Sequence, residues 1–146
     1  MTPFTDGGAY RCRFANVWAG SATYDGVQIN GGTTGTIQGI SFESCHFLAN
    51  GGAGISIGTN CKDISITGGE ICQNEFGVWV GGAINLKVIG VTIGAGAGMT
   101  GNRLQSIVLG ATCDYVIITN NIMIGNGNGI ADLSTSINKI ISGNLE

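Results

Sequence analysis

The sequence predicts an all-β chain wound as a right-handed parallel β-helix, a solenoid of about five to six coils, and three observations carry that prediction. One apolar-alternating phrase recurs through most of the 146 residues. Glycine occurs 27 times and proline once, so the chain turns often without the composition of collagen or of a disordered linker. Charged residues make up only 10%, and β-branched Ile, Val and Thr are plentiful while strong helix formers are sparse.

The phrase is apolar-x-apolar-x-x-small-x-apolar, then Asn, then Gly-apolar-x-apolar. Its first copy is Cys12-x-Phe14-x-x-Val17-x-Ala19, followed by Gly26-Val27-x-Ile29. The second is Ile40-x-Phe42-x-x-Cys45-x-Phe47, Asn50, Gly54-Ile55-x-Ile57. The third is Ile64-x-Ile66-x-x-Gly69-x-Ile71, Asn74, Gly77-Val78-x-Val80. The fourth is Leu86-x-Val88-x-x-Val91-x-Ile93, Asn102, Ser106-Ile107-x-Leu109. The fifth is Val116-x-Ile118-x-x-Asn121-x-Met123, Asn126, Gly129-Ile130. The copies start 28, 24, 22 and 30 residues apart. Period two within each segment means a strand with one buried face. Three short strands per copy mean a triangular coil, and unequal spacing places insertions in the turns. Residues 1–146 are thus one β-helix domain.

Asn50, Asn74, Asn102 and Asn126 fall at one equivalent corner, where stacked amides can bond along a structural ladder and tolerate left-handed backbone. The glycines that follow are expected to supply unusual φ angles. Asp63 and Asp114 are expected at equivalent turn positions before their coils, as Asx turns. The stretch Gly94–Gly101 lengthens the fourth copy as a surface loop, and no Lys-Ser/Thr or helix follows to make it a phosphate cradle.

These phrases, notably Ile64-Ser-Ile-Thr-Gly-Gly and Val116-Ile-Ile-Thr-Asn-Asn-Ile, resemble the pectate-lyase-like superfamily of right-handed parallel β-helices. Within it the chain is most similar to bacteriophage tailspike and tail-fibre β-helices. The resemblance implies binding, and in an enzymatic form depolymerisation, of bacterial surface polysaccharide. It also implies a homotrimer in a virion tail. Two alternatives stand beside it: a secreted polysaccharide lyase or glycoside hydrolase, and a non-catalytic structural spacer or adhesin module. Relatives usually carry end caps, but the polar start MTPFTDGG is no capping helix. The last residues, Lys139–Glu146, stop inside a sixth coil whose register is open by one residue. The chain is therefore expected to be a section of a larger protein, or to have its ends covered by another chain.

Alternation assigns the outward positions. On the first strands they are Arg13, Ser41, Ser65, Lys87 and Ile117; on the second, Trp18, His46, Glu70, Thr92 and Ile122; on the third, Gln28, Ser56, Trp79, Val108 and Ala131. The late coils are apolar outside, so Trp79, Val108, Ile117 and Ile122 are expected at a subunit interface. No nucleophile elbow, zincin motif or nucleotide loop is present, and His46 is the only histidine. Two-carboxylate hydrolysis needs acids about 5 to 9.5 Å apart, which neighbouring coils provide. Glu43 and Glu70 are the catalytic candidates, with Trp18, His46 and Glu75 as substrate-binding candidates: an indole stacks on a sugar face and carboxylates bind hydroxyls. Arg13 and Lys87 lie where a lyase base would, but no acidic cluster accompanies them to hold calcium.

No cofactor or metal is expected. Five cysteines, an odd count without CxxC, suit free thiols formed in a reducing cytoplasm. The net charge of −3 and the lack of basic runs argue against nucleic acid. No apolar run reaches the roughly 18 residues that span a bilayer, and no secretory signal is visible after Met1.

Overall fold

The computed structural model describes residues 9–33, 35–95 and 98–146, and within them there are fifteen strands and no helix. The expectation for MTPFTDGG, and residues 96–97 of the glycine-rich loop, lie outside the described residues. The first coil holds β1 (Arg13–Ala15), β2 (Trp18–Gly20) and β3 (Val27–Ile29). The second holds β4 (Ile37–Glu43), β5 (His46–Leu48) and β6 (Ala53–Ile57), and the third β7 (Cys61–Thr67), β8 (Glu70–Cys72) and β9 (Phe76–Val80). The fourth holds β10 (Ala83–Ile89), β11 (Thr92–Ile93) and β12 (Gln105–Leu109). The fifth holds β13 (Asp114–Thr119) and β14 (Asn128–Asp132), and β15 (Lys139–Ser142) opens a sixth.

Every strand pairs in parallel with its counterpart one coil away, so the chain is an all-β solenoid of about five turns. The first sheet runs β1-β4-β7-β10-β13-β15, the second β2-β5-β8-β11, and the third β3-β6-β9-β12-β14. Inward residues stack in files. Ile40, Ile64, Leu86 and Val116 form one, and Ile29, Ile57, Val80 and Leu109 another. Ile55, Ile57, Ile64, Leu86, Ile107 and Leu109 are fully buried. Each such side chain contributes about 1.5–3 kcal/mol by leaving water.

Corners are made by single residues in left-handed backbone. The corner after the first sheet repeats it in every coil: Asn16, Ser44, Gly68, Gly90, Asn120 and Gly143 all have φ between 51° and 65°. The Asn ladder stands at the corner after the second sheet. Asn50 Nδ2 donates to Asn74 Oδ1 (2.9 Å), Asn74 Nδ2 to Asn102 Oδ1 (3.0 Å), and Asn102 Nδ2 to Asn126 Oδ1 (3.0 Å). Each acceptor also takes a backbone N–H from the asparagine one coil earlier. The ladder asparagines are not themselves left-handed; their predecessors Ala49 and Gln73 are, at φ 57° and 59°. The glycines that follow serve close approach rather than unusual φ. A Cβ on Gly54 would sit 2.5 Å from Ile71 Cγ2, and one on Gly77 2.3 Å from the Ser106 carbonyl oxygen. A second ladder joins Asn121 to Asn144 (2.9 Å) at the other corner.

The aspartates also differ from expectation. Asp63 lies level with Gly39 and Asn85, accepting from Gln38 Nε2 (2.6 Å) and from Asn85. Asp114 stacks instead on Ile84, one position away, and accepts from Tyr115 N–H (2.9 Å), Ser136 and Asn138. The two are therefore not equivalent, because one residue separates their places in the register.

In the sixth coil Ile140 pairs with outward Ile117, so Lys139 and Ile141 take the inward places. Lys139 thus follows Val116 in the Ile40 file, and Asp132 follows Leu109 in the Ile29 file. Lys139 Nζ reaches Asp132 Oδ2 at 2.6 Å and Ser134 Oγ at 2.9 Å. At these two positions the inward files pass from apolar side chains to a paired charge. Burial raises the Asp132 carboxyl, but bonds from Lys139 and Ser134 outweigh it and hold it below its ordinary 3.8.

Two outcomes follow. Asn74→Leu should cost at least about 2 kcal/mol in urea unfolding, because Asn50 N–H and the Phe47 carbonyl lose a buried partner. A carboxyl lowered on folding stabilises the native state above its unfolded value and loses that effect as pH falls through the folded one. The urea midpoint should therefore fall from the ordinary 3.8 downward, and less steeply in Asp132→Asn.

Candidate functional site

Each strand of the second sheet is short, and only its second residue faces the core. Ala19, Phe47, Ile71 and Ile93 point inward, so their neighbours form two outward files. One runs Trp18, His46, Glu70, Thr92 and Ile122; the other runs Gly20, Leu48 and Cys72. This face is the most diverse chemically. Trp18 is 64% exposed. Its indole leans along its own strand over Gly20, where an added Cβ would lie 3.3 Å from Trp18 Cζ2. The ring plane is thereby held beside the sheet by a position that carries no side chain.

His46 lies directly between Trp18 and Glu70. Its Nδ1 is 3.9 Å from Glu70 Oε2, within reach of an ion pair when the imidazole is protonated. The Glu70 side chain is only 17% exposed. Beside it, Cys72 is buried although it points outward, because Met99 covers it, with sulfur atoms 3.5 Å apart. The described part of the glycine-rich loop thus walls the face at its third coil. Burial, and then the Glu70 charge, push the Cys72 thiol up to about 11. Burial also raises Cys61 and Cys113, so these sulfurs act as packing groups rather than nucleophiles.

Glu43 stands on the first sheet, across the corner from this face. Arg13 Nε donates to Glu43 Oε1 at 2.8 Å, and Arg13 Nη2 pairs with Oε2. Both carboxylate oxygens are engaged by one guanidinium fork, and the hydrogen bond and charge of Glu43 raise the Arg13 pKa further. Glu43 and Glu70 flank the same corner, since Glu70 N–H donates to the Cys45 carbonyl (3.0 Å). Their roles differ: Glu43 holds Arg13, while Glu70 is left beside His46 to accept hydrogen bonds. An acid that hands over a proton or attacks needs a free oxygen, and the Arg13 fork engages both oxygens of Glu43.

Glu75 lies beyond the next corner, away from the Trp18 file. Its carboxylate pairs with Arg103, and its N–H donates to the Gly52 carbonyl (2.8 Å). Trp79 and Val108 are neighbours on the third sheet, Ile117 is on the first, and Ile122 bridges in the second sheet's outer file. The four stand on three different sides of the prism rather than on one face. Lys87, on the first sheet, is stacked between Ser65 and Ile117.

Sequence reasoning missed the Arg13–Glu43 fork, the Met99 cover over Cys72, and the apolar trough of Tyr115, Ile117, Ile137 and Ile140 on the late first sheet. The signal for the fork was available: Arg13 and Glu43 occupy outer positions two residues apart in the register of adjacent coils. Among the described residues, no group of three or more His, Cys, Asp or Glu could hold a metal ion, and no helix is long and apolar enough to cross a membrane.

No protein-family model matches this chain, and no curated protein and no solved structure matches it. The fold and the chemistry of its faces therefore stand on the chain's own residues.

Cys12 is partly exposed and the other four thiols are buried. A native-state titration with an aromatic disulfide reagent should show one fast thiol. Cys12→Ser should abolish that phase, and full reactivity of the rest should require denaturant.

Proposed function

We propose that this β-solenoid is a polysaccharide-recognition module of the tailspike or tail-fibre kind, and that it binds bacterial surface glycan across its second sheet. The observation that carries the reading is the file Trp18–His46–Glu70, rigidly spaced by parallel pairing. An exposed indole gives a sugar ring an apolar face to rest on. The imidazole and the sheltered carboxylate one and two coils away then meet its hydroxyls. Successive coils are about 4.8 Å apart, so the three groups sample about 10 Å of an extended chain.

Binding is better supported than cleavage. Hydrolysis by paired acids needs one proton donor and one base or nucleophile, and Glu43 is occupied by Arg13. The same observation favours, as second reading, a module that holds glycan without cutting it, in the manner of an adhesin. Trimer formation remains part of the proposal: apolar outer residues on three sides of the late coils let each copy meet two neighbours through different faces.

The test is titration against a panel of bacterial capsule and O-antigen polysaccharides. A tight-binding member should lose about 2- to 12-fold in affinity with Trp18→Ala, with further losses for His46→Ala and Glu70→Gln and an unchanged melting temperature. Binding that ignores all three substitutions contradicts the assignment. Sedimentation should give a threefold mass; a monomer removes the trimer from the proposal.

A further inference from the structure

We infer that the corner between the second and third sheets carries a second saccharide subsite, a notch that takes one further ring of the glycan bound at Trp18. This rests on the reading proposed above and extends it around the corner of the prism.

The floor of the notch is the corner of the second coil, where the first coil packs directly on bare backbone. In the second coil the corner is Gly51-Gly52, and neither position tolerates a side chain. A Cβ on Gly51 would lie 2.2 Å from the Thr23 carbonyl oxygen, and one on Gly52 2.4 Å from Asp25 Oδ1. The backbone packs against the turn of the first coil, with Gly51 N–H donating to Ala22 (2.9 Å) and Gly52 N–H to Tyr24 (3.0 Å). On the other side, Glu75 N–H ties the third coil to Gly52. Tyr24 of the first coil and Glu75 of the third line the opening above and below Gly51-Gly52, and the Asp25 carboxylate reaches over Gly52 between them. The opening has a volume of about 410 Å³.

Its walls are complementary to a sugar ring. Tyr24 is 81% exposed, an aromatic face open to solvent on one side. Asp25 is fixed, because Oδ1 accepts the Ala53 N–H at 2.8 Å. Glu75 is fixed by Arg103. Gln28 adds an amide at the rim. An aromatic platform with fixed carboxylate and amide groups suits the C–H face and the hydroxyls of a pyranose. A metal ion is a poorer occupant, because the Arg103 guanidinium already neutralises Glu75.

The notch also lies on the path of the proposed glycan. Trp18 and Tyr24 belong to the same coil, on either side of the corner at Ser21, whose φ is 62°. A polysaccharide lying along the Glu70–His46–Trp18 file reaches Tyr24 when it turns at Trp18 and follows the first coil round the corner. The subsite predicts length dependence: short fragments engage Trp18 alone, and longer ones engage both aromatic residues.

The experiment uses oligosaccharides of increasing length cut from the panel polysaccharide that binds the unaltered chain most tightly. Tyr24→Ala and Glu75→Gln should weaken the longer fragments about 2- to 12-fold and leave disaccharide binding unchanged. Trp18→Ala should weaken both lengths. Melting temperatures should not move, since Tyr24 is a surface residue. If Trp18→Ala weakens binding but Tyr24→Ala has no effect at any length, the subsite is overturned and the recognition reading stands. If no panel member binds, both fall.

Discussion

The structure depends on one constraint: inward side chains of successive coils must stack in register, or the core has no interior. A single coil buries nothing, because three short strands enclose only one layer of side chains. Stacking turns those layers into continuous files such as Ile40–Ile64–Leu86–Val116, and the parallel backbone ladders lock the spacing. Everything outside inherits this regularity. A residue on one face is placed beside its counterpart one coil away, so Trp18, His46 and Glu70 become a linear array although 28 and 24 residues separate them.

Polar groups serve the same constraint where the core cannot. The corners would leave buried amides without partners, and the asparagine ladders supply them: Asn50, Asn74 and Asn102 donate along the file, and Asn74, Asn102 and Asn126 each accept a backbone N–H from the coil before. No buried side-chain nitrogen or oxygen among the described residues lacks a partner. The Lys139–Asp132 pair serves the same constraint, since two charged residues in inward positions bond each other and Ser134. The chain thus spaces its outward side chains evenly along each sheet.

Much of this was legible in the sequence. Period-two alternation gave strand faces, and because the inward files must align, the outward residues of all three sheets followed. What was not legible needed cross-coil geometry. Arg13 and Glu43 occupy outer positions that the register gives, but their meeting depends on a diagonal reach of the guanidinium that the pattern does not specify. Asn121 filled a slot that holds Cys45, Gly69 and Val91 in other coils, so its ladder to Asn144 was hidden by a chemically mixed column. The Gly51-Gly52 notch is an absence of side chains, and composition alone does not distinguish it from an ordinary turn. Lys139 escaped because a charged residue in an inward position breaks the alternation by which the register is recognised.

The account is tested most directly by methyl-to-methyl nuclear Overhauser contacts in a chain labelled at Ile, Leu and Val methyls. Stacked coils predict an ordered series, Ile40 to Ile64, Ile64 to Leu86, and Leu86 to Val116, with no contact between Ile40 and Val116 because three rises, about 14 Å, separate them. A direct Ile40–Val116 contact, or a missing link between adjacent coils, would contradict the stacked column and the outer files built on it.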